Sequence, residues 1–109
     1  MKISLTQTFV NSDDSLAVDN ITNEFITLKQ ILISSLLAGQ DDKIKRYDLF
    51  RDIKKSKVGF VTLNVEDVSF LKKAVLECQP TLVAGQAHEM LENEYVAPVE
   101  PVDYQVVNA

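Results

Sequence analysis

The chain holds one cysteine, one histidine, three glycines and three prolines in 109 residues. A lone thiol, Cys78, excludes an intramolecular disulfide and a multi-cysteine metal site, and it suits a reducing compartment. "HEMLE" at 88–92 matches the opening of the zinc-protease pattern H-E-x-x-H, but Glu92 stands where the second histidine belongs. No third ligand lies near His88 in the sequence, so no metal is expected. Three scattered glycines cannot build a phosphate-cradling loop. Long apolar runs are also missing. The most apolar stretch, "ITLKQILISSLLAG", is too short to span a bilayer and is interrupted by Lys29, Gln30, Ser34 and Ser35. The N-terminal "MKISLTQTFV" alternates polar and apolar residues and lacks the continuous apolar core of a secretory signal. These absences predict a cofactor-free protein that is made in the cytoplasm and has no membrane partner.

Positive charge is scarce overall and concentrated where it occurs. Net charge is −5, yet residues 43–57 hold seven of the eleven basic side chains. They are Lys43, Lys45, Arg46, Arg51, Lys54, Lys55 and Lys57, against Asp48 and Asp52, whereas residues 80–109 carry five acids and no base. A nucleic acid would meet a local basic segment on a globally repulsive molecule, which argues against non-specific binding. A regulator using Lys43, Lys45, Arg46, Lys54, Lys55 and Lys57 for nucleic-acid contact is therefore the secondary reading. Tyr47 is the one aromatic placed to stack on a base, but it falls on the apolar arc of its helix and is expected in the core.

With 46% hydrophobic and 25% charged residues, the composition is that of a folded domain. At this length folding removes roughly two-thirds of the unfolded chain's surface from water, enough for a core without staples. Residues 2–10 alternate, with Ile3, Leu5 and Phe9 on one side, and predict a half-buried strand. "NSDDS" at 11–15 reads as a turn, after which "LAV" at 16–18 is placed to return as a short second strand. "VGFVTL" at 58–63 is β-rich and suited to pair with the N-terminal strand.

Four helices follow from caps and spacing. Thr27 with Gln30 forms a capping box, and Ile26 with Ile31 occupies the staple positions. Leu28, Ile31, Leu32, Ile33, Leu36 and Leu37 make this helix apolar around most of its circumference, which predicts a central position, with Gly39 ending it in the left-handed conformation. Asp41 and Asp42 place acid where a second helix begins, and Ile44, Tyr47, Leu49, Phe50 and Ile53 give it a broad apolar face flanked by the bases. Asn64 caps a third helix, with Leu63 and Val68 as its staple. Val68, Leu71, Val75 and Cys78 line its inner face, and Lys72 and Lys73 point outward. Pro80 ends that helix or starts the next. Leu82, Val83, Ala87, Met90 and Leu91 form a fourth apolar stripe, and Ala84, Gly85 and Ala87 are small enough for close approach or self-association.

Cys78 on an apolar stripe is the pattern of an inert packed thiol, and nothing pairs it with His88 as nucleophile and base. Asp13/Asp14 and Asp41/Asp42 sit at a turn and a helix start, where acids are ordinary. Residues 94–109, "EYVAPVEPVDYQVVNA", differ in character: Pro98 and Pro101 preclude a regular helix, yet valine and tyrosine are frequent. This segment is read as an extended tail that docks on a protein through Tyr95, Val96, Pro98, Val99, Pro101, Val102, Tyr104 and Val106.

The pattern "KIKRYDLFRDI", "VTLNVEDVSFLKKAV" and "PTLVAGQAHEMLE" resembles a group of small, uncharacterised proteins of tailed bacteriophages. Lys43 and Arg46, then Leu63, Glu66, Asp67, Leu71 and Lys72, then Leu82, Val83, Gly85, Ala87, Leu91 and Glu92 carry the likeness, over about residues 27–92. The resemblance implies a phage origin, in the host cytoplasm or the virion, and no conventional catalytic machinery. It transfers no functional residue. The expectation is an α+β domain, mainly α, over 1–93: four short helices packed with a short N-terminal strand or hairpin. The extended tail occupies 94–109. A non-enzymatic role through a protein partner or self-association is expected, either structural or as a modulator of a host protein.

Overall fold

The computed structural model describes residues 1–93. Strand β1 (Lys2–Ser4) leads into helices α1 (Leu28–Ala38) and α2 (Lys43–Lys54). Strand β2 (Phe60–Thr62) then precedes helices α3 (Val65–Cys78) and α4 (Thr81–Glu92). The fold is α+β and mainly α.

The two strands pair antiparallel, with Ile3 opposite Val61 and both side chains turned into the core. Backbone bonds continue the ladder at each end, from Leu5 N–H to Gly59 O (2.8 Å) and from Leu63 N–H to Met1 O (2.7 Å). Gly59 has φ +84°, a left-handed conformation that costs other residues a steric penalty, and it turns the chain into β2.

Alternating burial continues past β1 through Leu5 and Phe9, but the regular strand stops at Ser4. The reason is a change of partner. Beyond Leu5 the backbone bonds to the residues entering α1, from Leu28 N–H to Gln7 O (2.8 Å) and from Lys29 N–H to Leu5 O (3.1 Å). Segment 16–18 does return beside 8–10, yet only through one isolated bridge, Val10 to Leu16, and a backbone bond from Ala17 N–H to Phe9 O (2.9 Å); a second bridge, Val18 to Phe25, carries the chain on toward α1. Each limb is too short to build a ladder, so Phe9 and Ala17 hold this meander to the core by burial.

Helix α1 lies at the centre, packed on α2 and α3 and touching α4. Its entry follows the capping-box expectation: Gln30 Oε1 accepts from the Thr27 N–H at 3.2 Å. Leu28, Leu32 and Leu36 are fully buried, each contributing roughly 1.5–3 kcal/mol by removal from water. Ile31 and Ile33 are half-buried and Leu37 is exposed, so one side of α1 near its C-terminus is left uncovered. Asn64 Oδ1 accepts from the Asp67 N–H at 2.7 Å and starts α3, and Pro80 caps α4. Leu71, Val75, Ala87 and Leu91 close the interface between α3 and α4.

Several expected core positions face solvent. Ile44 and Tyr47 on α2 and Leu82 on α4 are exposed, and Cys78 is only half-buried. In α2 the inner face is instead Arg46, Leu49 and Ile53, a narrower arc than apolarity implies. Gly85 has open space around it and serves no close approach, whereas Ala84 and Ala87 are consumed by the chain's own core.

Candidate functional site at the α1–α2 corner

Helix α1 ends at Ala38 without a basic residue in its last turn, leaving carbonyls that need donors. Arg46, one helical turn into α2, supplies them. Its Nη1 donates to Ser35 O (2.9 Å) and Leu36 O (3.3 Å), its Nε to Asp41 O (2.7 Å), and its Nη2 to Asp41 Oδ1 (2.7 Å). The side chain is 4% exposed, and its charge also faces Glu77 at 3.6 Å and the Phe70 ring at 5.5 Å. A guanidinium suits this seat because its planar fork can meet several carbonyl acceptors while its charge opposes the helix dipole.

Gly39 belongs to the same construction. Its φ of −79° and ψ of 161° are extended, not left-handed, so conformational freedom does not explain the glycine. A Cβ there would meet the Arg46 guanidinium, and glycine is what leaves the room. Asp42 takes the left-handed conformation at the start of α2 (φ 48°), and α2 has no acid in its first turn. Asp41 turns its carboxylate to Arg46 instead, with Lys73 4.0 Å away. The hydrogen bond from Arg46, followed by a backbone hydrogen bond, holds the Asp41 carboxyl below its usual range.

Around this corner lies an open cavity of about 300 Å³ lined by Leu36, Leu37, Gly39, Gln40, Lys43, Arg46 and Tyr47. Its apolar rim is exposed: Leu37 is 60% exposed and Tyr47 55%, and Ile44, one turn before Tyr47 on α2, is 77% exposed. Arg51 stacks over the Tyr47 ring at 5.7 Å, and Tyr47 leans on Phe50 with ring centroids 6.2 Å apart. The cavity has the fully engaged Arg46 for a floor, an apolar rim and Lys43 at its edge. It can hold an apolar side chain that arrives with acidic neighbours.

The basic residues of the expected nucleic-acid surface are largely committed elsewhere. Arg46 is buried and cannot reach a phosphate, which corrects its place in that set. Lys45 pairs with Asp67 at 3.3 Å and lies over the Phe70 ring, Lys54 lies over Phe50 at 5.4 Å, and Lys55 faces Asp52 at 3.9 Å. Lys43, Lys54, Lys55 and Lys57 are exposed, with Lys43 at the opposite end of the segment from the other three. Tyr47, expected in the core, is on the rim of the cavity.

Cys78 and His88 have separate partners. The Cys78 thiol donates to Ser35 O at 3.5 Å beneath the corner, whereas His88 Nδ1 faces Glu92 at 3.9 Å near the end of α4. Among the described residues, no group of three or more His, Cys, Asp or Glu side chains is arranged to hold a metal ion, and no helix is long and apolar enough to cross a membrane. The tail residues Tyr95, Val96, Pro98, Val99, Pro101, Val102, Tyr104 and Val106 lie outside the described residues.

Two structural roles escaped sequence reasoning. Gln86 brackets Val10, accepting from its N–H and donating to its carbonyl, both at 2.9 Å, and so pins the meander to α4. Nothing local marks that glutamine. Arg46 did leave a signal: it stands at i, i+3 and i+7 with Leu49 and Ile53, so a base shares the spacing of the buried face. Comparison with protein-family models, curated proteins and solved structures finds no match for this chain.

Proposed function

We propose that this is a non-enzymatic, phage-encoded protein that works by docking another protein, with the α1–α2 corner as its receiving surface. The observation that carries the reading is the combination of a cavity with Leu37 and Tyr47 at its rim left in water, next to the exposed Ile44 of the same helix as Tyr47. Covering these side chains would contribute a few kcal/mol to docking. The lone cysteine and histidine serve packing and surface contacts, which supports a role without catalysis. The phage origin in this proposal rests on the resemblance over residues 27–92, and the bacterial host cytoplasm or the virion is the location that goes with it. Residues 95–106 supply a second docking element, adding to a partner's sheet edge or lying in its groove.

A photo-crosslinking residue at position 44, carried by the full chain in infected cells, tests the corner directly. It is expected to trap one protein at a defined site, and Leu37→Asp or Tyr47→Asp is expected to abolish the adduct. A chain that cross-links nothing, or a product unchanged by both substitutions, removes the corner as a docking surface. Binding that survives the loss of residues 95–109 removes the tail from the reading but leaves the corner.

Nucleic-acid contact through α2 is the secondary reading. It predicts association with DNA or RNA that weakens steeply with salt. No association at low salt would end it.

A further inference from the structure

We infer that residues 9–26 form a strap that opens as one unit while the four helices stay packed, with Gln86 of α4 as its latch. The strap is ordered, but by its own bonds. Asn11 N–H donates to Ser15 O (2.7 Å) and Asp14 N–H to Asn11 O (2.9 Å) at the first turn, and Asn23 N–H donates to Asp19 O (2.8 Å) at the second. Asp14 and Asn23 take the left-handed conformation that such turns use, with φ 69° and 62°. Between the turns, Ala17 N–H donates to Phe9 O (2.9 Å), Ile26 N–H to Ala17 O (3.0 Å) and Phe9 N–H to Ile26 O (3.3 Å). Each of these bonds begins and ends inside the strap.

Among the described residues, two hydrogen bonds join the strap to the rest of the molecule, and both meet Gln86. Its Oε1 accepts from Val10 N–H and its Nε2 donates to Val10 O. The same Nε2 also donates to Leu82 O at 3.2 Å, which steadies the latch on its own helix. No ion pair or ring contact among the described residues reaches 9–26. Apolar attachment is sparse as well. Phe9 and Ala17 are buried and Ile26 is half-buried, whereas Leu16, Val18, Ile21 and Phe25 are exposed.

The helical body is held by other contacts. Helix α1 packs on α2 and α3, α3 packs on α4, and β1 pairs with β2. The bonds from Leu28 N–H to Gln7 O and from Lys29 N–H to Leu5 O tie the entry of α1 to the chain before the strap. They set the hinge, where Thr8 bridges Thr27. Once detached, short limbs joined by isolated bridges have too few paired residues to persist in water, so the internal bonds are lost together with the latch. Opening uncovers the seats of Phe9 and Ala17 in the core. A segment with one polar fastening and two buried side chains belongs at the low end of local stability.

Native-state hydrogen exchange of the full chain, read by NMR, tests this at the Phe9, Ala17 and Ile26 amides, none of which bonds to Gln86. Gln86→Ala removes the latch and is expected to speed all three by one common factor, about tenfold for two lost hydrogen bonds. Arg46→Met weakens the body at the α1–α2 corner and is expected to speed the buried Leu32 and Leu71 amides about a hundredfold. It should leave the three strap amides unchanged, because an opening that spares the helices breaks no bond of Arg46. Urea gives a second reading that needs no variant. In wild type it is expected to speed the strap amides far less than Leu32 and Leu71, since opening the strap exposes little surface. Strap amides that follow Leu32 and Leu71, in Arg46→Met or in urea, show that the strap unfolds only with the whole domain, and the inference falls. Strap amides that keep their wild-type rates in Gln86→Ala, with Val10 alone exchanging faster, overturn the latch.

Discussion

The seat of Arg46 beside Gly39 makes a prediction in which one substitution changes sign. Arg46→Met keeps most of the apolar stem but removes four donated hydrogen bonds, two to the end of α1 and two to Asp41. Removing one partner of a buried charged network costs about 3–5 kcal/mol. The low end applies here, because Asp41 is half-exposed and water replaces its lost partner, leaving chiefly the carbonyls of Ser35 and Leu36 to account for. About 3 kcal/mol corresponds to a melting point lower by at least about 12 °C for a domain of this size. Gly39→Ala in the wild-type chain forces the guanidinium out of its seat, so its cost is bounded by the cost of Arg46→Met, about 1–3 kcal/mol. In the Arg46→Met background nothing opposes the new methyl group, and φ −79°, ψ 161° suits alanine. There Gly39→Ala is expected to stabilise by about 0.4–1 kcal/mol, through the reduced entropy of the unfolded chain. Urea unfolding of the four proteins, followed by far-UV circular dichroism, measures the cycle. Additive costs, with Gly39→Ala equally unfavourable in both backgrounds, would refute the assignment of Gly39 to guanidinium clearance.

The remaining predictions concern single sites. Asp41 has a folded-state pKa below the usual 3.8 because Arg46 donates to it. It therefore adds stability above that ordinary value and loses it as pH falls through the lower folded value. Carboxyl-carbon NMR should show Asp41 titrating below its ordinary range in the wild type and moving upward in Arg46→Met; an unmoved titration would contradict the pairing. Gln86→Ala strips both bonds from Val10 and should cost about 1–2 kcal/mol, with faster hydrogen exchange at the Val10 amide than in wild type. Unchanged protection there would mean the meander is held by Phe9 and Ala17 alone. Gly85→Ala, on an exposed face of α4 with open space around it, should raise stability by about 0.8–1 kcal/mol in thermal unfolding. A loss of stability would show that the glycine meets a neighbour after all.

The features legible in the sequence are those decided by residues close together in the chain. Gln30 turns back to the backbone of Thr27, Asn64 caps α3 through Asp67, and Pro80 divides α3 from α4, each where spacing places it. A cap is a contest between a side chain and the backbone two or three positions away, so the local sequence settles it. The alternation of Ile3, Leu5 and Phe9 identified the buried face in the same way, although the strand ended at Ser4 once its backbone changed partner.

By itself, then, the sequence determined the four helices, the pairing of the two strands, the α+β class and most of the core. Tertiary structure alone decided which apolar faces remain uncovered and which polar groups are taken inside. Tyr47 and Leu37 sit on apolar arcs, yet their neighbours stop short of them; Arg46 is a base, yet it is buried because α1 ends with carbonyls that lack donors. Periodicity reports how a helix is painted, not how far the next helix extends across it. That extent depends on contacts between residues distant in the chain, and it is what leaves the corner open.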